Sequence, residues 1–291
     1  MKPQSNRDFL EFHALPTHVV MHLLERADEL GTHWENRTMP QTLIGQRVGL
    51  IVDDTGWRNT TAFELGVKAM GGIIVQPPIS LNSGEVTSDL AGYLDNWFDL
   101  LIVRTRQLAT LKQLADAMRT PIINARTRTN HPCETLGDLA FVRKMRGSIE
   151  GLKVVGLAPE ANILSSWVEA SRAMPIEVVQ VYPAHWHVND FALLNPNFTT
   201  SQDMLHVLDA DVIFTDSWPV GADHAELLPY QVTQSLLDQC KSDALFLPCP
   251  PVARGQEVSS EAMEHHLCKS RSAKAFLLHA QNALMEWAIG L

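Results

Sequence analysis

Long apolar runs are missing from this chain: no stretch approaches the roughly 18 residues that a membrane-spanning helix needs. The N-terminus, MKPQSNRDFLEFHALP, lacks the apolar centre of a secretion signal. Cysteine is scarce, and Cys133, Cys240, Cys249 and Cys268 are too scattered to frame a disulfide scaffold. Neither GxGxxG nor a P-loop occurs, so the usual glycine-rich nucleotide cradles are absent. Positive charge is in deficit, 23 Lys and Arg against 33 Asp and Glu, which argues against general nucleic-acid binding. What these absences leave is a soluble, cytoplasmic protein with no nucleic-acid or membrane partner.

What is present is material for a core. Apolar residues make up 45% of the 291 and charged residues 19%, so a packed protein of two ordinary domains or one large one is expected. Strands and helices alternate. VGLIVD (48–53), IIVQP (73–77), LLIVR (100–104) and PIINA (121–125) read as strands, separated by helices near 59–70, 87–97 and 107–119. A helix from about Pro16 to 36 precedes them, and one over 133–146 follows. The pattern restarts with LKVVGLA (152–158), IEVVQVY (176–182), DVIFTD (211–216) and ALFLP (244–248). Helices are expected near 161–173, 201–209, 230–240, 257–267 and 271–288. Continuously apolar strands spaced by helices mean parallel sheets covered on both faces. The fold class is α/β: two doubly wound parallel-sheet domains, 1–146 and 147–270, joined by interdomain helices, with helix 271–291 packing back on the first.

In such sheets ligands sit at the carboxyl ends of strands. There the sequence concentrates its unusual residues. VDDTGWRNTTAFELG (52–66) turns from a strand into a helix start, where free N–H groups can hold an anion. Yet this turn carries a bulky Trp57 beside a single arginine, Arg58. Between Arg104 and Arg128 lie six basic residues and one acidic, in a chain of net charge -10. Lys112 and Arg119 read as solvated helix face; Arg104, Arg106, Arg126 and Arg128 flank strand ends and suggest a small anionic ligand. His131, before Pro132 at a helix entry, is either structural or a hydrogen-bond donor to a substrate carbonyl.

The segments T-G-W-R-N-T, Arg104, H-P-C-E, A-N-I-L-S-S-W, T-D-S-W-P-V-G and L-P-C-P-P occur in that order. Together they resemble the aspartate/ornithine carbamoyltransferase family, in particular its ornithine branch. That family shows S-T-R-T-R, a later strand-end arginine, H-P-x-Q, D-x-x-N-S-M, T-D-x-W-x-S-M-G and H-C-L-P. The resemblance covers nearly the whole chain and implies the carbamoyltransferase-like fold. It also implies transfer of a carbamoyl group from carbamoyl phosphate, or a similar anion, to the amine of an amino compound. No cofactor and no metal enter that chemistry; His185/His187 and His265/His266 lack convincing partner ligands.

Residue by residue, Gly56 and Trp57 replace the family Ser and Thr, Arg58 matches the first arginine, Asn59 stands for the second Thr and Thr60 replaces the second arginine. Asn59, Thr60 and Thr61 can still hydrogen-bond an oxyanion. The resemblance makes Arg104 the group contacting phosphate and carbonyl, and His131 the one polarising the carbonyl. Glu134 replaces the glutamine that binds the carbamoyl amide, and Asn282 aligns with a phosphate-contacting arginine. Arg126 and Arg128 are either replacements for the lost arginines or surface residues of a loop. For the amine, Asp216 matches the aspartate that binds the ornithine α-amino group, Ser165 the asparagine at its α-carboxylate, and Cys249 the cysteine of H-C-L-P. Val220-Gly221-Ala222 departs from S-M-G, which leaves the acceptor open, and Trp218 and Cys133 have packing readings beside the functional ones. Relatives imply substrate-driven domain closure and a homotrimer, into whose neighbouring site the loop near Ser83-Gly84-Glu85 would reach. Two other readings remain: a non-catalytic homologue acting as scaffold or partner subunit, and a transferase using a different donor.

Overall fold

The computed structural model describes residues 7–53, 56–81 and 84–291. Asp54, Thr55 and Ser83, three of the loop residues singled out in the sequence, lie outside them. Contacts divide the chain into one unit of residues 1–140 and 275–291 and another of 141–274.

The first unit is built on a four-stranded parallel sheet of order β2-β1-β3-β4. Its strands are β1 (Arg47–Val52), β2 (Ile73–Val75), β3 (Leu100–Arg104) and β4 (Ile122–Arg126). The helices are α1 (Thr17–Glu35), α2 (Trp57–Ala69), α3 (Thr87–Trp97) and α4 (Leu108–Ala117). α5 (Pro132–Arg146) leaves this unit and α10 (Ser270–Ala288) enters it; the division falls inside both. β3 is buried along its whole length, as a continuously apolar parallel strand must be. α3 and α4 cover one face through Leu90, Ala91, Leu94, Leu111, Leu114 and Ala115, spaced at helical period. The outer edge of β4 is covered by the chain itself. Phe9 donates its N–H to Ile122 O (2.8 Å) and accepts from Asn124 N (2.8 Å), which pairs the middle of that edge.

α10 packs on α1 and α2 through very close approaches. A Cβ at Gly31 would lie 3.0 Å from the His279 ring, and one at Gly66 would overlap the side chain of Asn282. Asn282, which stands where the family carries an arginine, is fully buried in that contact. Arg26 on α1 closes the seam with a two-pronged pair to Glu286 at 2.7 and 3.1 Å.

The second unit carries a five-stranded parallel sheet of order β7-β6-β5-β8-β9. Its strands are β5 (Lys153–Leu157), β6 (Glu177–Val181), β7 (Phe198–Ser201), β8 (Val212–Thr215) and β9 (Leu245–Pro248). α6 (Asn162–Ala173) is its one long internal helix; α7 (Leu205–Leu208), α8 (His224–Leu227) and α9 (Gln234–Leu237) are single turns. Three helix expectations are corrected, the one near 230–240 shrinking to the single turn of α9. The helix expected near 201–209 is present only as the single turn α7, and the edge strand β7 just before it carries no strand pattern because Phe198-Thr-Thr-Ser201 is mostly polar and faces solvent on one side. The expected helix over 257–267 is a loop with a single tight turn at Ala262–Glu264, since the backbone around Val258 pairs with Val232 and Gly255 instead of continuing into a helix.

Candidate functional site

Each sheet has a point where the strand order reverses, and a crevice opens there at the carboxyl ends. In the first unit it lies between β1 and β3, from which the chain proceeds outward in opposite directions. Gly56, at the start of α2, stands on one side and Arg104, the last residue of β3, on the other. They touch: a Cβ at Gly56 would overlap the guanidinium of Arg104. Gly56 also has φ 156° and ψ 55°, a conformation that side-chain-bearing residues avoid. Glycine is therefore required twice, by its backbone and by the cation against it. Gly56 has no side chain with which to cap α2, so the first-turn N–H groups receive no acceptor from that position.

The residues following Gly56 diverge. Trp57 is 67% exposed, so its ring does not fill the cradle. Arg58 is exposed as well, its Cζ 4.9 Å from the Trp57 ring centroid, a cation–π contact. Asn59 turns inward, 3% exposed, and its Nδ2 donates to Ala125 O at 3.3 Å. The Thr60 hydroxyl is turned back onto the helix, toward Gly56 O (3.4 Å) and Trp57 O (3.3 Å), while Thr61 is exposed.

Arg104 and Arg126 are brought together. They are register partners on β3 and β4, next to a shift in which one extra residue, Ala125, is inserted on β4. Beyond the strands the pairing continues: Thr105 N donates to Arg126 O (3.1 Å) and Arg128 N to Arg106 O (3.0 Å). Thr105 also donates to Asp53 Oδ2 at 2.7 Å, tying β3 to the end of β1. Arg128 and Arg106 are exposed; Arg126 is half-buried.

His131 is set by the turn before it. Asn130 Oδ1 accepts from Asn124 Nδ2 and from the Thr127 hydroxyl, each at 2.8 Å, and Asn130 Nδ2 donates to Leu10 O at 3.0 Å. This buried amide network fixes residues 127–130 and delivers His131 to the N-terminus of α5. Glu134, in the first turn, has its Oε2 3.9 Å from His131 Nε2, beyond hydrogen-bond range. Cys133 is buried and its thiol donates to Asn124 O (3.2 Å); burial, helped by Glu134, pushes that thiol well above the usual range, so it packs rather than reacts.

The second sheet reverses between β5 and β8. Asp216 follows β8, and its Oδ1 accepts from Ser217 N (2.8 Å). Ser165 lies in the first turns of α6, after β5, and is 5% exposed. Cys249 follows β9, its N–H donating to Thr215 O at 3.1 Å. These three residues are thus on segments leaving three neighbouring strands. Trp218 packs with Tyr182 and Leu227, edge-on to His224 at 5.0 Å. Val220 is fully exposed at the altered loop. Sequence reasoning passed over Tyr182 and Glu257. Burial raises the Tyr182 phenol, and Asp216, Glu257 and Glu226 raise it further; burial also raises Glu257. The sequence signal for Tyr182 is its place at the carboxyl end of the strand IEVVQVY. His187 Nε2 is 2.7 Å from Tyr182 O, and His265 Nε2 is 3.2 Å from Asp238 Oδ1, so both nitrogens serve local structure.

Comparison with known proteins bears on this arrangement. Residues 7–144 match the family model for the carbamoyl-P binding domain of aspartate/ornithine carbamoyltransferase, and residues 150–288 match that for its Asp/Orn binding domain. An ornithine carbamoyltransferase of Paracoccus denitrificans is 31% identical, covering 86% of this chain and 86% of its own. One from Cereibacter sphaeroides is 29% identical over 97% and 99%. The crystal structure of ornithine carbamoyltransferase from Burkholderia thailandensis superposes with a TM-score of 0.91 at 26% identity, covering 98% of this chain and 99% of that one.

Proposed function

Because the chain belongs to the aspartate/ornithine carbamoyltransferase family, we propose that it moves a carbamoyl group from carbamoyl phosphate to the amine of an amino acid or a related small amine. The observation that carries the reading is the Arg104 guanidinium seated against Gly56, at the N-terminus of α2 and the reversal point of the sheet. Backbone N–H groups and a guanidinium together are what a phosphate requires.

In the proposed reaction an unprotonated amine attacks the carbamoyl carbon. A C–N bond forms, the C–O bond to phosphate breaks, the amine sheds a proton and phosphate leaves. Negative charge gathers on the carbonyl oxygen, where Arg104 and His131 supply preplaced donors. Glu134 accepts from the carbamoyl NH2. Asn59, Thr60 and Thr61 line the start of α2; Arg58, Arg126 and Arg128 are the remaining cations offered to the phosphate. Asp216, Ser165 and Cys249 bind the amine substrate. Nothing in this scheme calls for a cofactor or a covalent enzyme intermediate. A homotrimer is part of the proposal; exposed Ile44, Ile73 and Val75 are apolar surface that an assembly would cover.

Calorimetric titration with carbamoyl phosphate, followed by phosphate release across a panel of amines, tests the reading. Saturable donor binding and amine-dependent release are expected. Absence of binding at millimolar donor would overturn it. Mass measurement in solution tests the trimer.

A further inference from the structure

A phosphate held by one guanidinium and one helix end is incompletely neutralised, and Arg58 lies over Trp57 at the surface. A second cation is built into the next strand. In a parallel ladder, register partners place their side chains on the same face of the sheet. Without the shift at the end of β3, Arg104 would face Ala125, and Arg126 would point to the opposite face. The inserted Ala125 turns that around and sets Arg126 beside Arg104. Asn59, in the first turn of α2, holds the shift in place by donating to Ala125 O at 3.3 Å. The same turn that offers its N–H groups to an anion therefore also fixes the strand that carries the second arginine. Two guanidinium groups brought to one face of adjacent strands can both donate to an oxyanion lodged between them.

We infer that Arg126 is the second phosphate-binding guanidinium of this site, forming with Arg104 a two-strand clamp that selects the dianionic phosphate group of the donor. The inference rests on the carbamoyl-transfer reading only for the name of the donor. Arg126 replaces in function the arginine that Thr60 no longer supplies, and it does so from the sheet rather than from the helix.

The test uses orthophosphate as the probe, titrated into the full chain without amine or donor. Arg126→Met keeps the stem and removes the fork; Arg126→Lys keeps the charge. Lys112→Met removes one charge from α4, where Lys112 pairs with Glu11 at 2.6 Å, and serves as the remote control. Loss of one charge-assisted contact predicts a dissociation constant about 10- to 100-fold higher for Arg126→Met. Arg126→Lys recovers part of the loss, and Lys112→Met stays within about threefold of wild type. Wild-type affinity rises from pH 6 to pH 8 as the phosphate gains its second charge, and the rise flattens in Arg126→Met. A merely structural arginine would leave that pH profile unchanged. Wild-type-like affinity and pH rise in Arg126→Met overturn the clamp, as does a wild-type chain that binds no orthophosphate. If the clamp result holds while no amine is carbamoylated, the clamp stands and the transfer reading falls. Should Arg126→Met fail to fold, the pH profile of Arg126→Lys decides: binding indistinguishable from wild type counts against the fork, and a partial loss supports it.

Discussion

Replacing Gly56 by alanine tests the central contact of the first unit. The new methyl meets two obstacles. The backbone at φ 156°, ψ 55° is one that alanine adopts only at a penalty of roughly 1–2 kcal/mol. The methyl would also overlap the Arg104 guanidinium, so either α2 or Arg104 must move. Arg104 is 6% exposed and closely surrounded, so its displacement removes at least one charge-assisted hydrogen bond to a bound anion, about 1.5–3 kcal/mol. At about 1.4 kcal/mol per decade, orthophosphate affinity should fall by about 10- to 100-fold. Thermal midpoint should drop by about 2–8 °C from the backbone penalty alone. Gly45→Ala separates the two effects. Gly45 also has positive φ, 80°, but nothing lies within 4 Å of its Cβ position. It should lower the midpoint and leave anion affinity unchanged. Calorimetry with orthophosphate and a thermal scan on the two variants provide the comparison. If Gly56→Ala binds phosphate as tightly as wild type, the Arg104 contact does not form the anion site and the reasoning fails.

Asn130→Ala removes the acceptor for Asn124 and Thr127 and the donor to Leu10 O, all in a buried setting; a loss of about 2–4 kcal/mol is expected by urea denaturation. Trp57→Phe should leave stability within about 0.5 kcal/mol, because the ring stands in solvent, and should lower the acrylamide-quenchable fraction of tryptophan fluorescence. Burial works to raise the Asp95 carboxyl, but the N–H groups of Thr120 and Arg119 outweigh it and hold the group below the ordinary carboxylate range. A depressed folded value means the stabilisation is present above the unfolded value of about 4 and is lost as pH falls through the folded one. Asp95→Asn should therefore be less stable than wild type at pH 7, with the gap narrowing as pH falls below about 4; a gap independent of pH across that range would refute the assignment.

Much of the architecture could be read from local pattern. LLIV (100–103) and VVGL (154–157) are continuously apolar and became buried parallel strands, because a strand covered on both faces must be apolar on both. The apolar positions of α1 recur at Val20, Leu23, Leu24, Ala27 and Leu30, and those residues are the buried ones. Polar Phe198-Thr-Thr-Ser201 gave no such signal, since an edge strand is held by backbone pairing that leaves no trace in side-chain pattern. The loop over 257–267 has helical-looking spacing, yet its backbone is taken up by pairing with Val232, a partner remote in sequence.

At the site the division is similar. Composition and spacing were enough to place Arg104, Arg126, His131 and Gly56 at strand and helix ends, because the chemistry of those ends follows from local backbone geometry. The sequence alone did not say that Arg104 and Arg126 are neighbours, that one inserted residue turns them to the same face, or that Trp57 stands outward. Those outcomes depend on the order of strands in the sheet and on the space already filled behind Gly56. Both are set by long-range packing, where a residue's neighbour is decided by which strand lies beside it and not by its distance along the chain.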